Sequence, residues 1–300
     1  MVMGTKAKQA MGWLPDYPDL RDYTEQTQDV KVLLEPTGLL PAARAAKRAK
    51  PRPLPAAVDL REWCSAIEDQ LNLGSCTAQA GAGILEYYER KAFGRNVEAS
   101  RLFLYKVTRN LMKMKGDSGA YLRMTMGAMV LFGAPPEEYW PYTDGEGFDR
   151  EPPAFCYAFA ENYKTIKYYR HDPPGTPADK VLDEAKKYLA AGHPVMFGFT
   201  VHGSIDQASS DGRIPFPSPR EKILGGHAVT AVGYDDKLRI KNGQSGRTTS
   251  GALLIRNSWG EGWGEQGYGR LPYDYVTRGL AEDFWSVLKK EWVDTGQFTT

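Results

Sequence analysis

Four side chains, taken in chain order, carry the chemistry that this sequence can do: Gln70, Cys76, His227 and Asn257. A cysteine attacks a carbonyl carbon as its thiolate, and a free thiol of pKa about 8.5 must be acidified to do so near neutral pH. Cys76 follows Gly74-Ser75 and opens a run, Thr77 to Ala92, in which Ala78, Ala82, Leu85 and Tyr88 fall on one helical face. A helix N-terminus favours an anion by about 0.3–1 kcal/mol when exposed. A neighbouring imidazole does far more, because it stores a thiolate–imidazolium pair and later protonates a leaving amine. His227, after Gly225-Gly226, starts the apolar run Ala228-Val229-Thr230-Ala231-Val232, which reads as a buried strand. Asn257 ends a second apolar run, Ala252 to Ile255. Its amide oxygen can accept from the other ring nitrogen and so set the tautomer and orientation of the imidazole. Trp259 is suited to shield that bond from water. Gln70 lies six positions before Cys76 (76 − 70) and can donate its amide to a developing oxyanion, with the Cys76 N–H as second donor. One such donor is worth about 2.7–4 kcal/mol of transition-state stabilisation.

The elements that must position these groups follow from periodicity. Ser100 is placed to cap a second helix, with Leu104, Val107, Leu111 and Met114 on one face, and a third runs from about Tyr121 to Phe132 and stops at Gly133. After Pro135-Pro136 and Trp140-Pro141-Tyr142 the signal changes. One helix is expected from about Ala178 to Ala191, and strands at Val195–Val201, His227–Tyr234, Ala252–Asn257, Gly267–Leu271 and Phe284–Leu288. The fold class is therefore α+β: a mainly helical lobe over residues 55–143 that holds the nucleophile, then a β-rich lobe over 144–300 that holds His227 and Asn257. A substrate cleft is expected between them.

Residues 1–54 differ in composition from the remainder. Gly12-Trp13-Leu14-Pro15-Asp16-Tyr17-Pro18 reads as an extended segment that packs onto something. Between Pro41 and Pro55, Arg44, Lys47, Arg48, Lys50 and Arg52 sit among alanines and alternating prolines, as either a solvated basic helix or a cleavable junction. Asp16, Asp19 and Asp22 read as surface acids, and Asp235-Asp236 as a solvated turn.

Composition narrows the function classes. The 300 residues carry 38 basic and 37 acidic side chains, a net charge of +1, so nothing favours nucleic acid or an anionic membrane as partner. No run approaches the roughly 20 apolar residues of a membrane span. The lysines of Met1–Gln9 have no apolar segment behind them, so no secretory signal is visible and a cytoplasmic, monomeric protein is expected. Three cysteines, Cys64, Cys76 and Cys156, are too few for a disulfide framework and are expected as buried thiols, although a Cys64–Cys156 bridge is an alternative. His171, His193 and His202 form no metal-ligand pattern with them and read as structural or exposed. No cofactor is implied.

The same motifs resemble those of the papain-like cysteine peptidases. Gln70, Gly74-Ser75-Cys76, Gly226-His227-Ala228-Val229 and Asn257-Ser258-Trp259-Gly260-x-Gly262-Trp263-Gly264-x-x-Gly267-Tyr268 match the family in order, over about Pro55 to Leu288. The separations, 151 residues from Cys76 to His227 (227 − 76) and 30 from His227 to Asn257 (257 − 227), also suit it. The resemblance implies a two-lobed fold, peptide-bond hydrolysis, and substrate-backbone binding by Ser118-Gly119-Ala120 before Tyr121. Gly226 and Trp259 are implied to line the same cleft. It also brings Glu282, just before Phe284-Trp285, to the floor of the main specificity pocket, where a carboxylate would accept a basic substrate residue; an apolar pocket of Tyr121, Leu122 and Ala228 is the alternative. By the same resemblance residues 1–54 form a pro-segment that crosses and blocks the cleft, anchored by Trp13, Leu14 and Tyr17; a surface wrap is the alternative.

Two departures stand out. Thr77 replaces the tryptophan that usually follows the nucleophile, and Leu73 and Asp117 stand where the family often has a disulfide pair. They resemble a bacterial branch without structural disulfides. The reading is a cysteine endopeptidase acting on peptide or protein substrates, inhibited by its own N-terminal segment. Its rivals are an acyl-transferring enzyme on the same scaffold, such as a peptide ligase or deamidase, and a papain-fold protein that grips peptides without cutting.

Overall fold

The structure of the chain is a computed structural model and describes residues 9–34, 53–165 and 167–287. The basic run from Arg44 to Arg52 lies outside the described residues, as does Leu288 at the end of the last expected strand.

The first lobe is built on three helices, α2 (Cys76–Phe93), α3 (Arg101–Leu111) and α4 (Leu122–Leu131); a short helix, α1 (Gln28–Leu34), precedes them. The Ser100 hydroxyl accepts from Phe103 N–H at 3.2 Å, the expected cap of α3. Helix α2 ends at Gly94, whose φ of 66° lets the chain leave through a left-handed residue that carries no Cβ penalty.

Helix α5 (Ala154–Ala160) packs back on the helical lobe, with Cys156 and Ala160 in its core and Tyr157 edge-on to Phe103 and Phe132. The second lobe holds helices α6 (Ala178–Ala190) and α7 (Tyr273–Thr277) around an antiparallel sheet. Its strands are β1 (Ala57–Asp59), β2 (Tyr168–Arg170), β3 (Val195–His202), β4 (Ile223–Lys241), β5 (Thr248–Arg256), β6 (Tyr268–Pro272) and β7 (Ala281–Val287). They run in the order β2-β7-β3-β4-β5-β6, with β1 paired to β4 at Gly233–Asp235, beyond the reach of β3. The expected strands are all present. β1, β2, α1, α5 and α7 were not anticipated, because three to seven residues are too few to establish a period. Asp235-Asp236 is not a turn: β4 continues through it, and Asp236 accepts from Tyr273 Oη at 2.7 Å and pairs with Lys186 at 2.7 Å.

The lobes meet where α2 lies on β4 and β5. Thr230 Oγ1 on β4 donates to the Ala80 carbonyl at 3.2 Å. Glu86, fully buried on α2, accepts from Ala99 N–H at 2.9 Å and from the Ser65 hydroxyl, and lies 4.0 Å from Arg256 of β5. Burial raises the Glu86 carboxyl above its ordinary value, and Arg256 opposes that rise. Removing one member of such a pair strands a buried charge, so Glu86→Ala should cost about 3–5 kcal/mol, while Glu86→Leu combined with Arg256→Met should cost much less. Urea midpoints of the three proteins test this; equal losses for the single and double variants would refute the pairing.

Candidate active site

Cys76 is the first residue of α2, with its side chain buried at the lobe interface. Ala228 N–H, from the residue after the histidine, donates to the Cys76 sulfur at 3.4 Å. His227 is likewise buried on β4; its Nε2 meets Asn257 Oδ1 at 2.7 Å, while its Nδ1 has no hydrogen-bond partner. Asn257 immediately follows β5, and its Oδ1 also accepts from Ser258 N–H at 2.8 Å, which holds the amide oxygen toward the ring. The Trp259 ring stacks on the imidazole, centroids 4.4 Å apart and planes at 23°, and covers it as the sequence reading expected. Gln70 Oε1 accepts from the Ser258 hydroxyl at 2.6 Å, leaving its Nε2 to donate into the cleft. The four chemistry-bearing residues therefore converge from both lobes, with Nδ1 as the ring nitrogen left for the thiol.

A family model described as papain family cysteine protease matches residues 54–287. The chain belongs to the papain family of cysteine proteases. Among curated proteins it is 32% identical to an uncharacterized peptidase C1-like protein of Acanthamoeba polyphaga mimivirus, over 92% of this chain and 86% of that one. It is also 29% identical to a cathepsin L-like proteinase of Fasciola hepatica, over 74% of this chain and 62% of that one. Among solved structures it resembles xylellain, a cysteine protease from Xylella fastidiosa, with a TM-score of 0.71, 32% identity, and 96% of this chain and 98% of that chain covered. All three cysteines of this papain-family protease are buried free thiols, in keeping with the expected absence of disulfides.

Residues 10–17 run through the cleft. Trp13 N–H donates to the Gly226 carbonyl at 3.1 Å, Ala120 N–H to the Gly12 carbonyl at 2.8 Å, and Leu14 N–H to the Ala120 carbonyl at 3.0 Å. Of the expected backbone-binding stretch it is Ala120 that makes these bonds; the Ser118 hydroxyl turns to the Gly119 carbonyl at 3.0 Å, and Tyr121 is the half-buried N-cap of α4. The Ala10 carbonyl accepts from both Gln70 Nε2, at 3.2 Å, and Trp259 Nε1, at 3.0 Å. The Trp13 side chain, 4% exposed, fills a pocket in which its indole N–H donates to Asp283 Oδ2 at 3.1 Å.

Two expectations are corrected here. Tyr17 is not an anchor: its side chain is 90% exposed, and only its carbonyl is held, by Arg123 Nη2 at 2.8 Å. Glu282 is exposed and does not form the pocket floor; Asp283, one residue later, does, because β7 is irregular there and Asp283 takes a φ of 66°. Two further residues were not singled out by sequence, Arg123 and Arg170. Arg123 pairs with Asp16 and, at 2.7 and 2.8 Å, with Asp22, so these acids are not surface bystanders. Arg170 lies 3.7 Å from Asp22 and 3.2 Å from Asp283.

With the cleft filled, burial pushes the Cys76 thiol up to about 11, and backbone N–H groups of Ala228, Gly12 and Thr77 only partly offset it. Burial likewise holds His227 down at about 4, against the support of Asn257. Between those values thiol and imidazole are both neutral. Alkylation of Cys76 by iodoacetamide in the full chain should therefore be slow at pH 5–8 and climb steadily toward pH 11, since only the thiolate reacts. Mass spectrometry of the tagged peptide reads this; a plateau reached by pH 7 would contradict it.

Proposed function

We propose that this papain-family protease is an endopeptidase kept closed by its own N-terminal segment. The observation that carries the reading is the pose of residues 10–14: their amides and carbonyls use Gly226, Ala120 and Gln70, the groups a peptide substrate would need. Backbone pairing of an extended chain with a receptive edge is a general mode of peptide recognition. The segment also enters and leaves the cleft as continuous chain, from Ala10 beside Trp259 to Asp22 beside Arg123, so neither end is walled off. A cleft open at both ends suits internal bonds.

Once the segment is displaced, water returns to Cys76 and His227, and the burial that keeps both neutral is relieved. The thiol proton passes to His227 Nδ1, and the thiolate attacks the scissile carbonyl. Gln70 Nε2 and the Cys76 N–H receive the oxyanion, the imidazolium protonates the leaving amine, and water releases the acyl group from sulfur. Asn257 holds the ring through Nε2 during both proton transfers.

Complete removal of residues 1–54 is a blunt test, because Val30 and Leu34 of α1 are fully buried in the core of the β lobe. Single changes separate plugging from folding. In the full chain, Trp13→Ala should raise hydrolysis of a mixed peptide library at least tenfold. Arg123→Ala should give a smaller, salt-sensitive rise, since its pairs with Asp16 and Asp22 are partly exposed. Cys76→Ala in the Trp13→Ala background should abolish cleavage. Equal activity of folded wild type and Trp13→Ala would sink the plug, and cleavage surviving without Cys76 would sink the mechanism.

A further inference from the structure

We propose that the pocket now holding Trp13 selects tryptophan side chains in substrates of this enzyme, with Asp283 as the specificity-determining residue. The inference rests on the peptidase reading and names its substrate class.

The pocket is shaped around an indole. Its base is the sheet surface where β7, β3 and β4 lie side by side, and two of the residues beneath the ring are glycines. A Cβ built on Gly198 would come within 2.0 Å of the Trp13 ring, and one on Gly226 within 2.9 Å of it. Any other residue at 198 would fill the space the indole occupies. Trp13 belongs to the same buried apolar cluster as Met196, Ala228 and Trp285.

A carboxylate oxygen, Asp283 Oδ2, faces this apolar space. Asp283 is fully buried, and its Oδ1 is already engaged by Trp285 Nε1, at 2.7 Å, and Arg170 Nη1, at 3.2 Å. Oδ2 takes the Trp13 indole N–H and no other hydrogen bond among the described residues. The vacant acceptor that remains when Trp13 withdraws is therefore aimed where a single N–H donor at the far edge of a flat ring arrives. A phenylalanine or leucine side chain would exclude water from Oδ2 and leave it unpaired. Sites built around a buried hydrogen bond discriminate strongly against ligands that lack the donor.

A basic side chain is disfavoured on charge. With residues 10–22 gone, Asp16 and Asp22 leave with them. Arg123, whose guanidinium lies over the Trp285 ring, then loses both carboxylate partners. Arg170 stays with Asp283 and with Asp172, which is held by Arg170 Nε at 2.9 Å and by the N–H groups of Asp283 and Phe284 at 2.7 and 3.0 Å. Glu282 is exposed. It lies within electrostatic reach of Asp172 and Arg170 but at the solvent side, and the carboxylates of Asp172 and Asp283 already have Arg170 between them.

The test has an arm in trans and an arm in cis. In trans, the full-length Trp13→Ala chain is given peptides bearing Trp, Phe, Leu or Arg at each of the three residues before the cleaved bond. At one of these positions Trp should exceed each of the others at least tenfold in kcat/KM. Asp283→Asn should bring that ratio near one, because its oxygen is claimed by Trp285 and Arg170 and its NH2 must face the indole N–H. Gly198→Ala should lose Trp peptides while keeping Leu peptides. In cis, full-length chains with Trp13→Phe, Trp13→Leu or Trp13→Arg should each alkylate at Cys76 at least tenfold faster than wild type, and the Trp-to-Phe difference should vanish with Asp283→Asn. Phe or Leu matching Trp, Arg surpassing it, or selectivity that survives Asp283→Asn would overturn the proposal. Rapid alkylation of the Trp13→Ala chain without cleavage of any peptide would instead count against the peptidase reading, while the cis arm still decides the pocket.

Discussion

The seating of α2 on the sheet is the constraint on which the rest of this molecule depends. Cys76, Ala80 and Gly83 fall at helical spacings of four and three, and all three face β4 or β5. They are small residues, and a Cβ on Gly83 would lie 2.5 Å from the Arg256 guanidinium, so the helix sits as close as the partner allows. On β4 the matching residues are Ala228 and Thr230, two apart and on one face. Cys76 is thus the first member of the stripe that packs the two lobes together. Its position relative to His227 is set by the packing of a helix and a strand, which holds geometry more tightly than loops do.

The N-terminal segment divides into a part that occupies chemistry and a part that belongs to the fold. Val30 and Leu34 sit in the core of the β lobe, and Arg170 N–H donates to the Tyr23 carbonyl at 2.7 Å. Residues 10–14 instead use the cleft. Their direction matters. Gly12 N–H faces the Cys76 sulfur, so the thiol meets a donor and not an electrophilic carbon. The Trp13–Ala120 bridge is parallel, with Ala120 accepting from Leu14 and donating to Gly12. On the proposed reading, a segment in this pose would occupy the groups a substrate needs without offering a bond in line for attack. What the structure shows is that the cleft's thiol and imidazole are both buried beneath it.

Much of the site was legible in the sequence because its parts are local. A cysteine opening an apolar helix, a histidine opening an apolar strand and an asparagine closing another each carry their context within ten residues. The long elements were legible for the same reason, since period needs length. What escaped depends on distant partners. Asp16 and Asp22 read as surface acids because Arg123 lies more than 100 positions away. Tyr17 looked like an anchor by type, yet the chain there follows the Arg123 clamp and turns the ring to solvent. Asp283 was displaced by one from the expected Glu282 because a left-handed residue in β7 shifts which side chain meets the pocket, and no spacing rule reveals such an irregularity. Gly198 carried no signal alone: its meaning appears only once an indole lies on it.

The positions that depart from the family's disulfide pattern explain how the cleft rim holds without one. Leu73 is buried, and beside it Gly74 N–H donates to both oxygens of Asp117, at 2.8 and 3.1 Å, while Asp117 Oδ1 also accepts from Tyr105 Oη at 2.6 Å. A carboxylate binding a backbone N–H and a phenol ties together the same two loops, the one entering α2 and the one preceding α4. Charge-assisted bonds of this kind are worth about 1.5–3 kcal/mol each. Cys64 and Cys156 are buried with their sulfurs toward the carbonyls of Leu60 and Tyr139, at 3.7 and 3.6 Å, and burial raises both thiols. Neither is a nucleophile in waiting. The reducing conditions that a catalytic thiol requires therefore take nothing from the stability of this fold, and the cysteine proposed to do chemistry is the one that lies at the cleft.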